Sequence, residues 1–203
     1  MPKILSDPEI HEFREQLCEA ATRLFSERGR DGFTIRELAA ALGVSAMTPY
    51  RYFRDKEEIL AAVRARVFDR FAATLEAAYP GRGNAIEKSR AVGKAYVKFA
   101  FEEPAAYRMM FDLAQPDEQR FPDLIRATER ARATMTRHVR PMIEEGILAG
   151  DPALIGHIMW ASLHGAVVLQ MAGKLSETCD FSRIIEESFR VLLRGFAAER
   201  CPG

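Results

Sequence analysis

The chain has 203 residues, 48% hydrophobic and 29% charged, with 29 basic and 29 acidic side chains that cancel to a formal net charge of +0. This is globular composition; it excludes a long disordered chain and a uniformly basic protein, although a neutral total can hide a local basic patch. Cys18, Cys179 and Cys201 are odd in number and lack metal-ligand spacing, so no disulfide framework or metal site is expected, and a reducing, cytoplasmic setting is.

Nearly the whole chain has a helical hydrophobic period, and an all-α fold is expected. The opening M-P-K-I-L-S-D-P-E lacks the apolar run of a secretion signal. A first helix runs from about Pro8 to Arg28, with Asp7 as cap and Pro8 where a missing N–H costs nothing. A second runs from Thr34 to about Leu42, opened by a Thr34/Glu37 capping box with Phe33 stapled onto Leu38. Gly43 breaks it. A third is expected from Ser45 to about Phe53, and a fourth from Asp55 to Ala78, with Glu58 completing a second capping box. Pro80 to Asn84 is the best internal boundary. Beyond it, helices are expected at about 85–102, 104–114, 121–145, 151–173 and 180–199. Pro104, Gln115-Pro116, Gly150-Asp151-Pro152 and Thr178-Cys179-Asp180 punctuate them, and Pro141 should kink the helix that contains it. The run Ile158–Ala172 carries His164 and Gln170, and reads as a buried helix rather than a membrane span. The expected division is 1–54 as a head, 55–79 as a connecting helix and 80–203 as a larger helical domain.

Two short helices around Gly43-Val44 have helix-turn-helix spacing, with Ala39 small enough for close crossing. Such a unit lays its second helix in the major groove. The chemistry fits. Ser45 at a helix start leaves N–H groups for a phosphate, and Ala46 lies in the same first turn. Thr48, Tyr50, Arg51, Tyr52, Arg54 and Lys56 are donors, and Met47 and Pro49 can meet a thymine methyl or a sugar. Arg36 and Arg54 read equally well as solvated surface charges, and Phe53 as core. Pro49 removes one first-turn hydrogen bond and pushes Thr48 away from helical angles. Either the first turn is distorted, or the regular helix starts near Thr48 with Pro49 in first position and the Thr48 hydroxyl partly committed to the backbone.

The C-terminal part is rich in soft side chains. Phe99, Tyr107, Met110, Phe111, Met135, Trp160 and His164 are the candidate walls of an apolar ligand pocket, with plain core as the alternative reading. The last two helices are apolar on more than one face and either sit centrally or pack on a partner subunit. His11, His138, His157 and His164 show no metal spacing, and no phosphate loop or nucleophile elbow is present, so no catalytic, metal or cofactor site is expected.

The segment F-T-I-R-E-L-A-A-A-L-G-V-S-A-M-T-P-Y-R-Y-F-R-D-K-E-E-I-L, Phe33 to Leu60, resembles the N-terminal signature of the TetR family of bacterial transcriptional regulators. Phe13, Ala20, Ala21 and Phe25 stand where that family has its first helix. Trp160, His164 and Gly165 resemble a Trp-x-x-x-His-Gly element of one branch, and Glu102 to Phe111 is similar to the same branch. The resemblance implies an all-α homodimer joined through its last two helices. It implies a DNA-binding head and a helical domain enclosing a small-molecule effector, most often in a repressor released from a palindromic operator. Family positions that touch DNA match Thr34, Thr48, Tyr50, Tyr52 and Lys56, while Pro49 departs from the family's usual leucine or isoleucine. The other reading is a helical sensor or adaptor whose head is only structural.

Overall fold

The computed structural model describes residues 7–29, 32–111 and 118–198. Their helices are α1 (Asp7–Arg28), α2 (Ile35–Ala41), α3 (Lys56–Ala78), α4 (Ala85–Glu102), α5 (Pro104–Phe111), α6 (Pro122–Thr136), α7 (Val139–Glu144), α8 (Pro152–Met171) and α9 (Phe181–Gly195). Short 3-10 segments cover Pro49–Arg51 and Glu118–Arg120. Among the described residues there is no strand, only isolated bridges between Leu148 and Ala197 and between Ser176 and Cys179. The fold is all-α. The expected caps Asp7 and Pro8 and the Gln115-Pro116 break lie outside the described residues and side chains.

The chain forms two compact units. The first takes the residues up to Arg70 together with Glu103–Glu129. Here α1 packs on α2 and α5. Leu17, Phe33, Leu38, Ile59, Tyr107, Met109 and Leu124 are at most 2% exposed. Arg64 is buried with them, and its guanidinium is held 2.7 Å from Glu118. That pair matters more than the exposed pairs Arg120–Glu57 and Arg126–Asp69, because water screens the latter.

The second unit takes Phe71–Glu102 and the residues from Arg130 on. Phe71 sits edge-on to Tyr96 and Phe99, with centroids 5.4 and 5.2 Å away. Ala85, Val139, Met142, Leu148 and Ile155 form a second buried cluster. Helix α8 packs against α9, α7 and α4. Its start is fixed by Asp151, whose carboxylate accepts from the Ala153 and Leu154 N–H groups, with Pro152 in the first turn. By length and composition α8 could cross a membrane. The buried helix expected from the sequence is met only in part: Ile155, Gly156, Ala166 and Val167 are buried within the unit, while Leu154, Val168 and Leu169 are exposed.

The kink expected at Pro141 is a full break. The 121–145 region is two helices, parted at Arg137 and His138. Pro141 has no N–H to give to the Arg137 carbonyl and its ring crowds that carbonyl, so the regular ladder stops one turn earlier. A close approach then brings α8 onto the end of α6. A Cβ built on Gly156 would lie 2.9 Å from Thr136 Cα, Cβ and Cγ2, closer than side chains pack. Gly156→Ala should therefore destabilise the protein by about 1–3 kcal/mol in urea unfolding. A change within about 0.5 kcal/mol would mean that α8 can shift freely.

Candidate nucleic-acid interface and cavity

Helix α2 is closed at both ends by its own sequence. At its start the Thr34 hydroxyl accepts from the Glu37 N–H at 3.2 Å, and Glu37 accepts from the Thr34 N–H at 2.8 Å. The expected capping box is present. The bonds that its carboxylate accepts from the Thr34 N–H and hydroxyl hold the Glu37 carboxyl below its ordinary pKa. At the other end Gly43 adopts a φ of +66°, which favours glycine. The Val44 N–H reaches the Ala39 carbonyl and the Gly43 N–H the Ala40 carbonyl, both at 3.0 Å. This is a Schellman closure, and it turns the chain sharply into the next segment. Ala39 is 1% exposed at the turn, as its small size led us to expect.

The segment after the turn differs from expectation. There is no α-helix over Ser45–Phe53. A turn through Ser45–Thr48 leads into the 3-10 segment, with Pro49 at its first position. Of the two outcomes open to Pro49, the later start is met only in part: Pro49 stands in first position, but of a 3-10 segment and not of a regular helix. Thr48 keeps helical angles, φ −62° and ψ −46°, instead of the extended ones a following proline favours. Two bonds offset that preference: the Thr48 N–H donates to the Ser45 carbonyl at 2.9 Å, and the two hydroxyls pair at 3.0 Å. The Thr48 hydroxyl makes no cap bond to the backbone. With no helix beginning at Ser45, the expected helix-end charge beside it is absent.

The side chains sort by exposure. Met47 is 68% and Tyr50 47% exposed. Thr34, Arg36, Ser45, Ala46 and Arg51 are also exposed, and Thr48 and Tyr52 are half-buried. Tyr52 rests on Phe13, with centroids 4.8 Å apart. Pro49 is buried, so it anchors the segment from within. Phe53 is core at 2% exposed, with the Arg14 guanidinium over its ring. Lys56 has a structural role that the sequence did not reveal. Its Nζ donates to the Phe33 carbonyl at 2.6 Å and lies 4.4 Å from that ring's centroid. The second capping box is half-formed: Asp55 accepts from the Glu58 N–H, while Glu58 accepts from the Arg54 N–H.

The second unit holds a cavity of about 390 Å³ walled by α4, α6, α8 and α9. Of the seven candidate pocket residues, Met135 and Trp160 line it. Phe99 is packed on Phe71, and Tyr107, Met110 and Phe111 belong to the first unit. His164 instead joins a hydrogen-bond chain. Trp160 Nε1 donates to the Tyr96 hydroxyl at 3.3 Å, and that hydroxyl lies 3.0 Å from His164 Nδ1. Burial lowers the His164 pKa. Sequence reasoning missed Ser89 and His138. Ser89 was legible as the hydroxyl in the buried stripe Ala85, Ser89, Val92, Tyr96, Phe99 of α4.

His138 is 5% exposed, and burial pushes its imidazole down to a pKa of about 4. The unfolded imidazole titrates near 6.5. Between those values the unfolded state binds more protons, so stability is full above pH 6.5 and falls as the pH drops towards 4. The loss should be roughly 3 kcal/mol, of which His138→Gln should remove a large share. His164 shifts in the same direction and keeps its own share. Urea unfolding at stepped pH checks this, and equal slopes in both proteins would refute it.

The comparisons with known proteins agree with this geometry. Residues 17–63 match bacterial regulatory proteins of the tetR family, and residues 89–196 match the tetracyclin repressor-like C-terminal domain. An uncharacterized HTH-type transcriptional regulator of Mycobacterium tuberculosis is 27% identical over 165 residues, covering 81% of this chain and 72% of that protein. The HTH-type transcriptional regulator HbdR of Aromatoleum is 34% identical over 86 residues, covering 42% of this chain and 38% of the relative. A solved protein of unknown function from Rhodococcus sp. RHA1 superposes with a TM-score of 0.79 at 25% identity, covering 97% of this chain and 99% of that one. With a turn-closed head at one end and a family match over most of the chain, this protein belongs to the TetR family: it is a DNA-binding, ligand-responsive transcriptional regulator rather than an enzyme.

Proposed function

We propose that the chain is a repressor that binds a palindromic operator as a homodimer and is released by a small molecule held in its C-terminal part. The observation that carries this reading is the head itself: a Schellman turn presenting Met47, Tyr50 and Arg51 outward from a segment whose Pro49 and Phe53 point inward. Tyr50 and Thr48 would read base edges, and Arg51, Arg36, Thr34 and Lys56 would hold phosphates. Residues 1–54 serve as the head, 55–79 as the connector and 80–203 as the effector and dimerisation domain. Two recognition segments would meet two half-sites about one helical turn apart.

Dimerisation through α8 and α9 is supported by what those helices leave uncovered. No residue of α9 is buried, and Val191, Val168 and Leu169 are 59, 44 and 46% exposed. Four such helices from two copies would cover one another. The route from effector to DNA is proposed to run through α3, which gives Lys56–Arg70 to one unit and Phe71–Ala78 to the other. Only a ligand that prefers one conformation over the other can act this way. The cytoplasm, where the DNA lies, is the proposed location.

A gel shift on the DNA upstream of the chain's own gene tests the reading. Tyr50→Ala should cost about 1–3 kcal/mol on the operator and much less on random DNA. Arg51→Ala should weaken both alike and reduce the salt slope by about 1. Equal losses on both DNAs for Tyr50→Ala would refute its base-reading role. Absence of any operator preference in the parent chain would favour the adaptor reading.

A further inference from the structure

The identity of the effector class rests on the regulator reading above, and the cavity in the second unit carries it. At about 390 Å³ the cavity has the size of a small-molecule site, and its walls are mainly apolar. Two polar atoms of its lining residues are unusual. Ser89 Oγ and His138 Nδ1 both belong to residues lining the cavity, are 3% and 5% exposed as residues, and have no hydrogen-bond partner. Buried polar atoms are normally paired. Three other helical hydroxyls satisfy themselves: Thr22, Thr128 and Thr134 each bond a carbonyl three or four residues back on their own helix. Ser89, also within a helix, does not.

The cavity has a charged side too. Arg90, Lys94 and Lys98 recur every four residues on α4, are exposed and line the cavity. Glu186 is the acidic residue among the lining groups. Arg90 lies over the Phe189 ring, 4.8 Å from its centroid, and Lys98 is 3.9 Å from Glu102 at the surface, so neither cation is locked into a close ion pair. The interior differs in kind. Burial keeps His138 neutral at physiological pH, so the inner polar pair cannot balance a carboxylate. It can bond a neutral hydroxyl or carbonyl.

We propose that the effector is an elongated amphiphile: an apolar chain filling the cavity, a hydroxyl or carbonyl on that chain bonded by Ser89 and His138, and an anionic group held at the α4 side by Arg90, Lys94 and Lys98. Trp160 is the single tryptophan of the chain and lines the cavity, so its fluorescence reports occupancy directly, without DNA. The probes are decanoate, 10-hydroxydecanoate and 1,10-decanediol, each below its aggregation concentration. The hydroxy acid should give a saturable change and bind at least about fivefold more tightly than decanoate, the worth of one ordinary hydrogen bond. It should also bind more tightly than the diol, with an advantage that shrinks as salt rises.

Ser89→Ala should bring the hydroxy acid down to the affinity of decanoate, and Ser89→Thr, which keeps a hydroxyl, should restore the preference. Lys94→Gln with Lys98→Gln should erase the advantage over the diol. Equal affinity of all three probes, a preference that survives Ser89→Ala, or no saturable signal overturns the proposal. Operator binding measured separately on the same protein keeps the two readings apart. A null here with operator binding intact sinks the ligand class alone, and loss of operator preference sinks the regulator reading.

Discussion

A 3-10 segment of three residues makes too few hydrogen bonds to stay folded by itself. Tyr50 and Arg51 therefore owe their positions to what holds Pro49–Arg51 from outside. Pro49 is buried at its start, Phe53 is buried just beyond its end, and Tyr52 lies on Phe13 of α1. On the near side the Schellman turn at Gly43 sets the direction in which the chain arrives. Farther along, Lys56 ties the start of α3 to the Phe33 carbonyl just before α2. A surface built this way is as rigid as its support, and each support is a burial or a bond that mutation can remove singly.

Pro49 thus does two things at once. It deletes the N–H that a longer helix would need, and it fills a buried site with a ring whose φ already suits a turn. The segment becomes short because of the first effect and fixed because of the second. Thr48 is held in helical angles against its proline neighbour by two bonds to Ser45, so its hydroxyl sits in a polar pair at the surface. In the second unit the logic is reversed. Helix α9 buries no residue of its own, and two residues that line the cavity beside it, Ser89 and His138, keep polar atoms unpaired. One region is fixed by its own contacts, and the other leaves contacts for something else to make.

Much of this was legible in the sequence, because it was written in local chemistry. The Thr34/Glu37 box, the Gly43 stop, the Asp151-Pro152 and Asp180 helix starts and the buried Phe53 all depend on residues a few positions apart. What was not legible depends on distant partners. The tie from Lys56 to Phe33 spans 23 positions, and the Trp160–Tyr96–His164 chain spans more than 60. The pocket candidates were chosen for soft, bulky side chains. Phe99, Tyr107 and Met110 proved to be packed core, since the same property suits a core and a pocket wall equally. Ser89 stood in the apolar stripe of α4 and could have been found there, whereas His138 lies at the break between α6 and α7 that the sequence did not show. The kink at Pro141 was foreseen, but not that the ladder would break a full turn earlier at His138.

The central claim is that the head reads sequence and does so as a pair. Selection from a pool of random-sequence duplexes with the purified chain tests it most directly, because no operator need be known. Repeated rounds should converge on a two-fold symmetric motif whose half-sites lie about one helical turn, or a multiple of it, apart. A pool that stays random while still binding through its backbone at low salt would contradict the account.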